Sequence, residues 1–460
     1  MVKQKKFQVP ETYVLIFFLI IFSCILTHLI PAGVYDLIPG TKMINPDTFH
    51  FVENEPAGIF NFLDSFYKGL QKGSSTIFVV FLIGGAFQVV TDSGAINAGL
   101  NLVMKKASGK YYILVTVVML TMSILGTLGV GNNVALAFAP IAVMLARKLR
   151  LDGIVVMCMM YFASNVGFSV SPVNPFTVVL GQEIAGIPIM SGLGMRMILW
   201  IICQIVAIVY VLRYCKKILD DPSKSSVGVY SPDEDDGKVA FAEAKLSARD
   251  IMNLTLVILT FAVYSYGSIK FNWGMGKLGS AMVALAILSA IVSGRHLNDI
   301  AKSYVNGCKT MTYSAMLIGF ASAINVIMSD AKIIHSIIYY LTLPLMQVPT
   351  YLSAVGMQVV NTLFSCIVAS GSGQCYIVMP LMAPAADVLG ISRQIAVTAF
   401  QLGDGFTNAL IPTSGLLMGT MGMIPGLNFE KWFVWCIKVS AIFSVIGAIF
   451  LMIATMIGWS

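Results

Sequence analysis

The chain is poor in charged side chains. Only 11% of its 460 residues are Asp, Glu, Lys or Arg, whereas 57% are hydrophobic and the mean hydropathy is +0.83. This composition leaves too few polar groups to cover a soluble globule, so soluble enzymes, nucleic-acid-binding proteins and secreted disulfide scaffolds are excluded. Several uncharged stretches instead reach the roughly 20 residues that cross a bilayer. They are 111–146, 153–182, 310–329, 333–386 and 405–429.

Paired cysteines and clustered histidines are also missing. None of the eight cysteines forms a CxxC pair, and the four histidines are scattered. The cysteines therefore fit small apolar core positions, and neither a zinc site nor a resident cofactor is expected. The net charge of +7 comes mainly from short loops beside apolar segments, where Lys and Arg set membrane orientation. We predict no enzyme activity.

The charge distribution divides the chain into two halves. Residues 216–250 hold 14 charged residues in 35, including the acidic run Asp233–Asp236, and are predicted to form a solvated cytoplasmic linker. The two halves are interpreted as a first repeat, 1–215, and a second repeat, 279–460. An unpaired span and loop, 251–278, separates the linker from the second repeat.

Landmark residues recur in the two halves at an offset near 238, which predicts an internal repeat. Gly69 and Asp92 correspond to Gly307 and Asp330, Gly131 and Pro140 to Gly371 and Pro380, and Pro175 and Pro188 to Pro412 and Pro425.

The fold predicted from these patterns is an all-α polytopic membrane protein with two inverted-topology repeats. The extra span reverses the second repeat relative to the first, as in many secondary transporters. The amino terminus is predicted to be cytoplasmic, with an uncleaved first span, and the carboxyl terminus external. Spans are expected at 12–31, 75–92, 153–186, 191–213, 251–268, 279–294, 310–328, 391–423 and 432–456. Amphipathic helices are expected at 57–72, 93–108, 295–308 and 331–346.

Two regions, 111–148 and 349–388, each contain two apolar arms around a Gly-rich polar tip. Basic residues flank both ends of the first, so it is predicted to be a re-entrant hairpin from the cytoplasmic side, and its counterpart to enter from the outer side. Irregular backbone is tolerated in a membrane only inside protein or beside a wet cavity. We therefore expect the two tips to meet the breaks within 153–186 and 391–423 near the midplane.

Polar residues at these four breaks are the candidate ligands of substrate or ion. Helix arms that begin at a tip direct free N–H groups at a carboxylate, and the oxygens there suit Na⁺. The alternative is that the side chains only cap helices. The tip candidates are Gly131, Asn132, Asn133, Ser370, Gly371, Ser372 and Gln374, and the broken-helix candidates are Asn165, Ser171, Asn174, Thr177, Asp404, Thr407, Asn408, Thr413 and Ser414. A coupling Na⁺, if one is used, is predicted at Asn133, Ser372, Asp404 and Asn408.

Asp404 lies between two glycines in an otherwise uncharged apolar segment. An acid is costly there unless it has a role, such as binding Na⁺, carrying a proton or holding a substrate ammonium group. The alternative is a carboxylate that accepts N–H bonds from unwound backbone. Glu183, Asp387 and Arg393 lie near predicted helix ends and are expected to reach the membrane interface.

Several motifs extend over nearly the whole chain. They are Tyr13-Val-Leu, Ile30-Pro-Ala-Gly33, Asn174-Pro-Phe-Thr-Val178, Gly403-Asp-Gly-Phe-Thr-Asn408 and Pro412-Thr-Ser-Gly415. Together they resemble the anaerobic C4-dicarboxylate carrier (DcuC/YfcC-like) family of the ion transporter superfamily. The resemblance implies a homodimer of elevator-type carriers, in which a scaffold supports a mobile transport domain containing both hairpins and both broken helices. It also implies Na⁺ and a substrate carboxylate at the tips, although Gly131-Asn-Asn133 and Ser370-Gly-Ser372 match the family's Ser-Asn-Thr signatures only in part.

The predicted function is secondary active transport of a small carboxylate-bearing metabolite across the cytoplasmic membrane. The resemblance implies substrates that include C4-dicarboxylates and basic amino acids such as arginine exchanged for ornithine. No Lys or Arg is predicted beside the tips and Asp404 suits an amino group, so an amino acid is favoured, by exchange or ion coupling. The alternative is a Na⁺- or H⁺-coupled C4-dicarboxylate carrier.

Two other classes have weaker support. A channel can also contain inverted hairpins, but saturable, gradient-driven accumulation would exclude a passive pore. Tyr35-Asp36 and Gly403-Asp404 are faintly similar to the paired aspartates of intramembrane proteases. That match fails because Gln401 stands where the motif has glycine, and because Asp36 follows Pro31 at the outer end of its span.

Overall fold

A computed structural model describes residues 12–36, 45–99, 102, 110–129, 131–231, 246–271, 273–365, 371–411 and 414–460. Within them the chain is almost entirely helical. The exceptions are loops, short 3₁₀ turns at Pro46–Thr48 and Pro222–Lys224, and one antiparallel strand pair, Gly33–Val34 with His50–Phe51.

The helices of the first half include the two arms of the first predicted hairpin and a broken helix. They are α1 (Thr12–Leu29), α2 (Ile59–Asp92), α3 (Tyr111–Thr127), α4 (Gly131–Lys148), α5 (Gly153–Ser169, with a π-helical turn at Cys158–Phe162), α6 (a π-helical turn, Pro175–Val179, that runs into Leu180–Ala185) and α7 (Leu193–Asp220).

The second half also contains two hairpin arms and a broken helix, preceded by the additional helix α8 (Ala248–Phe271). The helices that follow α8 are α9 (Met275–Ser293), α10 (Leu297–Asp330), α11 (Ile334–Leu345), α12 (Thr350–Ser365), α13 (Gly371–Val388), α14 (Arg393–Thr407), α15 (Gly415–Gly422) and α16 (Phe429–Met456).

The described helices have the length and surface of membrane spans. Six of them, in α2, α7, α8, α9, α10 and α16, are long and apolar enough to cross a bilayer. Large apolar side chains face outward on these helices, for example Ile205 at 57% exposure and Val445 at 58%. Contact with lipid tails carries no free-energy cost for such side chains, whereas contact with water does. The chain is therefore a multi-pass membrane protein.

Two long helices correct the predicted spans. The sequence predicts separate elements at 57–72 and 75–92, and again at 295–308 and 310–328, but α2 and α10 are each one continuous helix of 34 residues. The first predicted boundary falls at Gly73. This glycine does not break α2, because it lies where the helix packs against Ile318 and Ser322 of α10.

Helices α2 and α10 pack antiparallel through glycines. A Cβ on Gly84 would lie 2.7 Å from the carbonyl oxygen of Gly307, and one on Gly69 would lie 2.7 Å from the amide nitrogen of Ala323. Residues near the start of α2 therefore lie beside the end of α10. Both helices also begin and end at corresponding positions of the predicted repeat, Ile59 with Leu297 and Asp92 with Asp330.

The start of the predicted linker is ordered, contrary to the expectation of a loop from residue 216. Helix α7 continues to Asp220, and the segment after it is tied to the start of α5. Asp152 accepts hydrogen bonds from Tyr214 Oη at 2.6 Å and from Ser225 Oγ at 2.7 Å, and Tyr230 Oη donates to the carbonyl oxygen of Pro425 at 2.9 Å. The acidic run 233–236 lies outside the described residues.

We expect Gly307→Ala to destabilise the protein, because the new methyl group would overlap the backbone of Gly84. Overpacking of this kind typically costs about 1 to 3 kcal/mol. Gly276→Ala in α9 is the matched control, since nothing lies within 4 Å of its Cβ position. It should be neutral or stabilising by up to about 1 kcal/mol. Thermal unfolding in detergent measures both, and equal stability of the two variants would contradict the close helix contact.

Candidate functional site

The amino-terminal end of α13 lies against both broken helices. A Cβ on Gly371 would lie 2.9 Å from Oδ2 of Asp404, 3.0 Å from the ring of Phe168 and 3.1 Å from Cγ2 of Thr177. The second tip therefore meets the break between α5 and α6 and the end of α14 at one point. Only glycine leaves room for this approach.

Asp404 is fully buried at this point, and its carboxylate is poorly satisfied. Oδ2 accepts one hydrogen bond, from Nδ2 of Asn408 at 3.3 Å, and Oδ1 has no partner among the described residues. In the described part of the chain no backbone N–H donates to either oxygen. A buried acid with a free oxygen requires a cation, a proton or another donor.

Two more buried oxygens near Gly371 lack partners within the described residues. Thr177 Oγ1 makes no hydrogen bond, and Gln374 uses its Nε2 to donate to the carbonyl oxygen of Asn361 at 3.0 Å while its Oε1 stays unpaired. Thr177, Gln374 and Asp404 are all 0% exposed. Oxygen acceptors of this kind, where they converge on one point, suit a hard cation or an ammonium group.

The two glycines beside Asp404 explain its position. A Cβ on Gly403 would lie 2.6 Å from Cβ of Asn361 in α12, and one on Gly405 would lie 2.5 Å from Oγ of Ser169 in α5. Helix α14 is thus held between the second hairpin and the first broken helix. This close contact on two sides keeps Asp404 at the start of α13.

Two predicted residues in the first break hydrogen-bond backbone groups, mainly at the end of α3. Ser171 Oγ donates to the carbonyl oxygen of Thr127 at 3.0 Å. Asn174 donates to the Gly126 carbonyl at 3.2 Å and accepts from the N–H of Phe176 at 2.9 Å, so it caps the turn that follows. The side chains of Ser171 and Asn174 therefore have structural partners, as the capping alternative expects.

The second break is satisfied in a similar way. Thr407 Oγ1 donates to Ser365 Oγ at 2.7 Å, and Asn165 Nδ2 donates to the carbonyl oxygen of Gly405 at 3.1 Å. Ser414 caps α15 by accepting from the N–H of Leu417 at 3.4 Å. These contacts join the first broken helix and the second hairpin to the end of α14.

The structure describes the remaining predicted residues only in part. Gly131, Asn132 and Asn133 form the first turn of α4, and Ser372 is buried at 8% exposure beside Gly371. The side chains of Asn132 and Asn133, and the whole of Ser370 and Thr413, lie outside the described residues.

A cavity of about 100 Å³ adjoins the first tip. It is lined by Gly129 and Phe176 on one side and by Gln88 of α2 and Thr310 of α10 on the other. Gly129 has φ +82°, and a Cβ there would lie 2.7 Å from the ring of Phe176, so glycine is required at this turn. The cavity places the first tip next to the α2–α10 pair.

Sequence reasoning missed several polar partners in these breaks. Gln401 Nε2 donates to the carbonyl oxygen of Ser171 at 2.8 Å, and Tyr161 Oη donates to that of Asn408 at 3.1 Å. Asn361 and Ser365 contact α14 from the second hairpin. Gln401 and Asn361 could have been found in the sequence, because each places an amide in an uncharged apolar helix. Tyr161 and Ser365 carry no such signal.

Asp387 and Arg393 are buried within the protein and pair with each other, so they do not extend outward from their helix ends as expected. They form an ion pair with side chains only 2% and 8% exposed, at 2.6 Å. Arg393 also donates to the carbonyl oxygen of Ala185 at 2.6 Å. A second arginine, Arg196 of α7, is buried at 1% exposure and donates to Oε1 of Gln394 at 2.9 Å. Asp387 and Arg393 thus pair with each other, whereas Arg196 donates to neutral oxygens and keeps its Nε unpaired within the described residues.

The fold is that of known membrane transporters. The structure of MtrF from Neisseria gonorrhoeae, from a class of antimetabolite efflux pumps, superposes with a TM-score of 0.72 at 15% identity, covering 98% of this chain and 96% of MtrF. The YdaH transporter of Alcanivorax borkumensis superposes with a TM-score of 0.73 at 16% identity, covering 98% and 99% of the two chains.

The sequence identifies the family within this class. A family model for the C4-dicarboxylate anaerobic carrier, DcuC, matches residues 9–456, and the chain belongs to this family. An Escherichia coli protein named "Putative basic amino acid antiporter YfcC" is 28% identical, covering 97% of this chain and 95% of YfcC. An uncharacterized protein of Haemophilus influenzae is 27% identical, covering 98% of each chain. The protein is therefore a membrane transporter.

We expect Thr177→Val to leave the unfolding temperature unchanged or slightly raised, because the hydroxyl it removes has no partner among the described residues. Thr407→Val removes a hydroxyl bonded to Ser365 and should cost about 1 to 3 kcal/mol of stability. Thermal unfolding in the absence of ligand measures the stability of both variants. If Thr177 Oγ1 contacts the bound solute or ion, only Thr177→Val should also raise the half-saturation concentration, by roughly tenfold. A Thr177→Val protein with unchanged half-saturation would show that the hydroxyl is not a ligand.

Proposed function

We propose that the protein is a secondary active transporter of a small carboxylate-bearing amino acid, and that Asp404 holds the cationic group of this substrate. The supporting observation is the buried carboxylate with an unpaired oxygen at the start of α13. Thr177 and Gln374, which belong to the same junction of helices, each hold one more buried oxygen without a partner among the described residues. An ammonium group has three N–H donors and can satisfy one acceptor with each.

The substrate carboxylate binds at the start of α13 in this proposal. The positive dipole end of this 18-residue helix favours an anion there. In an amino acid the α-amino and α-carboxylate groups are attached to the same carbon. A site that combines unpaired oxygens with a helix start therefore matches both groups of one small molecule.

Two chemical facts favour an amino acid over a dicarboxylate. The side chains that contact Asp404, Gly371 and Thr177 in the described part of the chain include no Lys or Arg. A dianion beside the unpaired Asp404 would face like-charge repulsion unless a cation intervened. The name of YfcC also refers to basic amino acid antiport, which is consistent with exchange of two such substrates.

The second candidate is a Na⁺- or H⁺-coupled C4-dicarboxylate carrier, in line with the family's description. The same oxygens then bind the coupling cation, because carboxylate, hydroxyl and amide oxygens are ligands that Na⁺ accepts. Asp404 and Asn408, predicted for Na⁺, contact each other, and Ser372 lies next to Gly371. The bound cation would offset the charge of the dicarboxylate.

We propose an elevator mechanism in a homodimer with two inverted repeats. The antiparallel contact of α2 with α10, which occupy corresponding positions, supports the inversion. The hairpins and broken helices form the moving transport domain, and the α2–α10 pair belongs to the scaffold that they slide against. The amino terminus is cytoplasmic and the carboxyl terminus external in this arrangement.

Exchange in proteoliposomes tests the substrate. Vesicles loaded with ornithine should take up labelled arginine in a saturable manner, without any Na⁺ or pH gradient. Accumulation of succinate under a Na⁺ or pH gradient, without arginine exchange, would instead support the dicarboxylate carrier. If no carboxylate-bearing solute is taken up under any gradient, both proposals are wrong.

We expect Asp404→Asn to abolish transport and to leave the protein folded, since the amide cannot balance a cationic group. Asp299→Asn is the matched control, because Asp299 lies exposed on α10 and pairs only weakly with Lys302 at 4.0 Å. It should keep normal uptake. Uptake by Asp404→Asn equal to the control would remove Asp404 from the site. Thermal unfolding of both variants checks that each is folded.

A further inference from the structure

A basic pocket lies between the last turns of α7 and the first turns of α16, far along the chain from the residues of the candidate site. Its volume is about 520 Å³. Five basic side chains line it, and Glu430 is the one acidic side chain among its lining residues. The basic residues are Arg213, Lys217, Lys224, Lys431 and Lys438.

These charges are mostly unbalanced. Lys224 pairs with Asp221 at 3.2 Å, but Arg213, Lys217, Lys431 and Lys438 form no ion pair with any described residue. Like charges collected around one cavity repel each other unless an anion lies among them. The pocket therefore has the charge of an anion site.

An aromatic wall and an apolar strip adjoin the basic groups. Trp435 lines the pocket and packs against Tyr210 and Tyr214, with ring centroids 5.3 and 5.8 Å apart. Trp and Tyr are enriched at the level of lipid headgroups. Immediately along the two helices, Val209 and Ile437 are 40% and 42% exposed, and further apolar residues continue the strip towards the middle of the helices.

We infer that this pocket binds the phosphate headgroup of an anionic phospholipid, whose acyl chains lie along the outer faces of α7 and α16. Basic pockets between membrane helices bind headgroups of this charge. An amphiphilic ligand fits this surface, because Val434, which lines the cavity, is 56% exposed and exposed Val209 and Ile437 lie near it on the two helices. A soluble phosphate compound would satisfy the charges and leave the apolar strip unused. The inference requires only that the chain spans a membrane, so it is independent of the transported substrate.

The test is lipid binding by the purified full-length protein. Delipidated protein receives phosphatidylglycerol or phosphatidylcholine with the same acyl chains, and native mass spectrometry counts the bound lipids. We expect selective binding of phosphatidylglycerol and a higher unfolding temperature in its presence. Each basic residue removed should weaken binding about fivefold. The double variant Arg213→Gln/Lys438→Gln should therefore bind roughly 25-fold more weakly.

The control variant removes two positive charges elsewhere. Lys216→Gln/Lys302→Gln changes the net charge equally, but neither residue lines the pocket, so binding should be unchanged. Lys438→Arg keeps the charge and should keep binding. Equal binding of the two lipids, or equal loss in the pocket and control variants, would overturn the inference.

Two further experiments test for other occupants of the basic pocket. If glycerol 3-phosphate alone reproduces the full thermal stabilisation, the ligand is a soluble phosphate compound and the lipid assignment is wrong. If phosphatidylglycerol binds only after Asp233, Glu234, Asp235 and Asp236 are changed to amides, the acidic linker occupies the pocket and the inference also fails. Binding by the unmodified chain, lost only in the pocket variant, supports it.

Discussion

Interrupted helices inside a membrane must find hydrogen-bond partners within the protein, and the organisation of this transporter depends on that requirement. Amide and hydroxyl side chains supply most of the partners. Ser171 and Asn174 bind the carbonyls at the end of α3, and Asn165 binds the carbonyl of Gly405 in the second half. Each broken helix is thereby fastened to elements that are distant in sequence.

Because many polar groups at the breaks have hydrogen-bond partners, the buried groups that lack one are informative. Asp404, Thr177 and Gln374 each leave a buried oxygen unpaired near the start of one helix, in the part of the chain that the structure describes. Buried polar atoms are rarely left without partners, so such a group points to a bound species. Other buried atoms, such as those of the Gln204 amide, also lack partners in the described part of the chain. The candidate site is distinguished from them by the close approach of Gly371 to both broken helices.

Much of the architecture could be predicted from the sequence, because glycine, proline and charge mark it directly. The breaks at Pro175 and after Asn408 and the hairpin arms follow from where polar residues interrupt apolar runs. Continuity of α2 through Gly73 could not be predicted, because a glycine that allows close helix packing looks the same in sequence as one that ends a helix. The partners of Asp387 and Arg393 were missed for a similar reason, since only the folded chain brings Ala185 next to them.

The ion pair of Asp387 and Arg393 constrains how the molecule can deform. It joins the last turn of α13 to the first residue of α14, and through the carbonyl oxygen of Ala185 it also holds the end of α6. These three segments consequently behave as one rigid block anchored at the end of α13 opposite Gly371. Hinging at the base of α13 would therefore be costly, because it would separate two charges that the structure buries together.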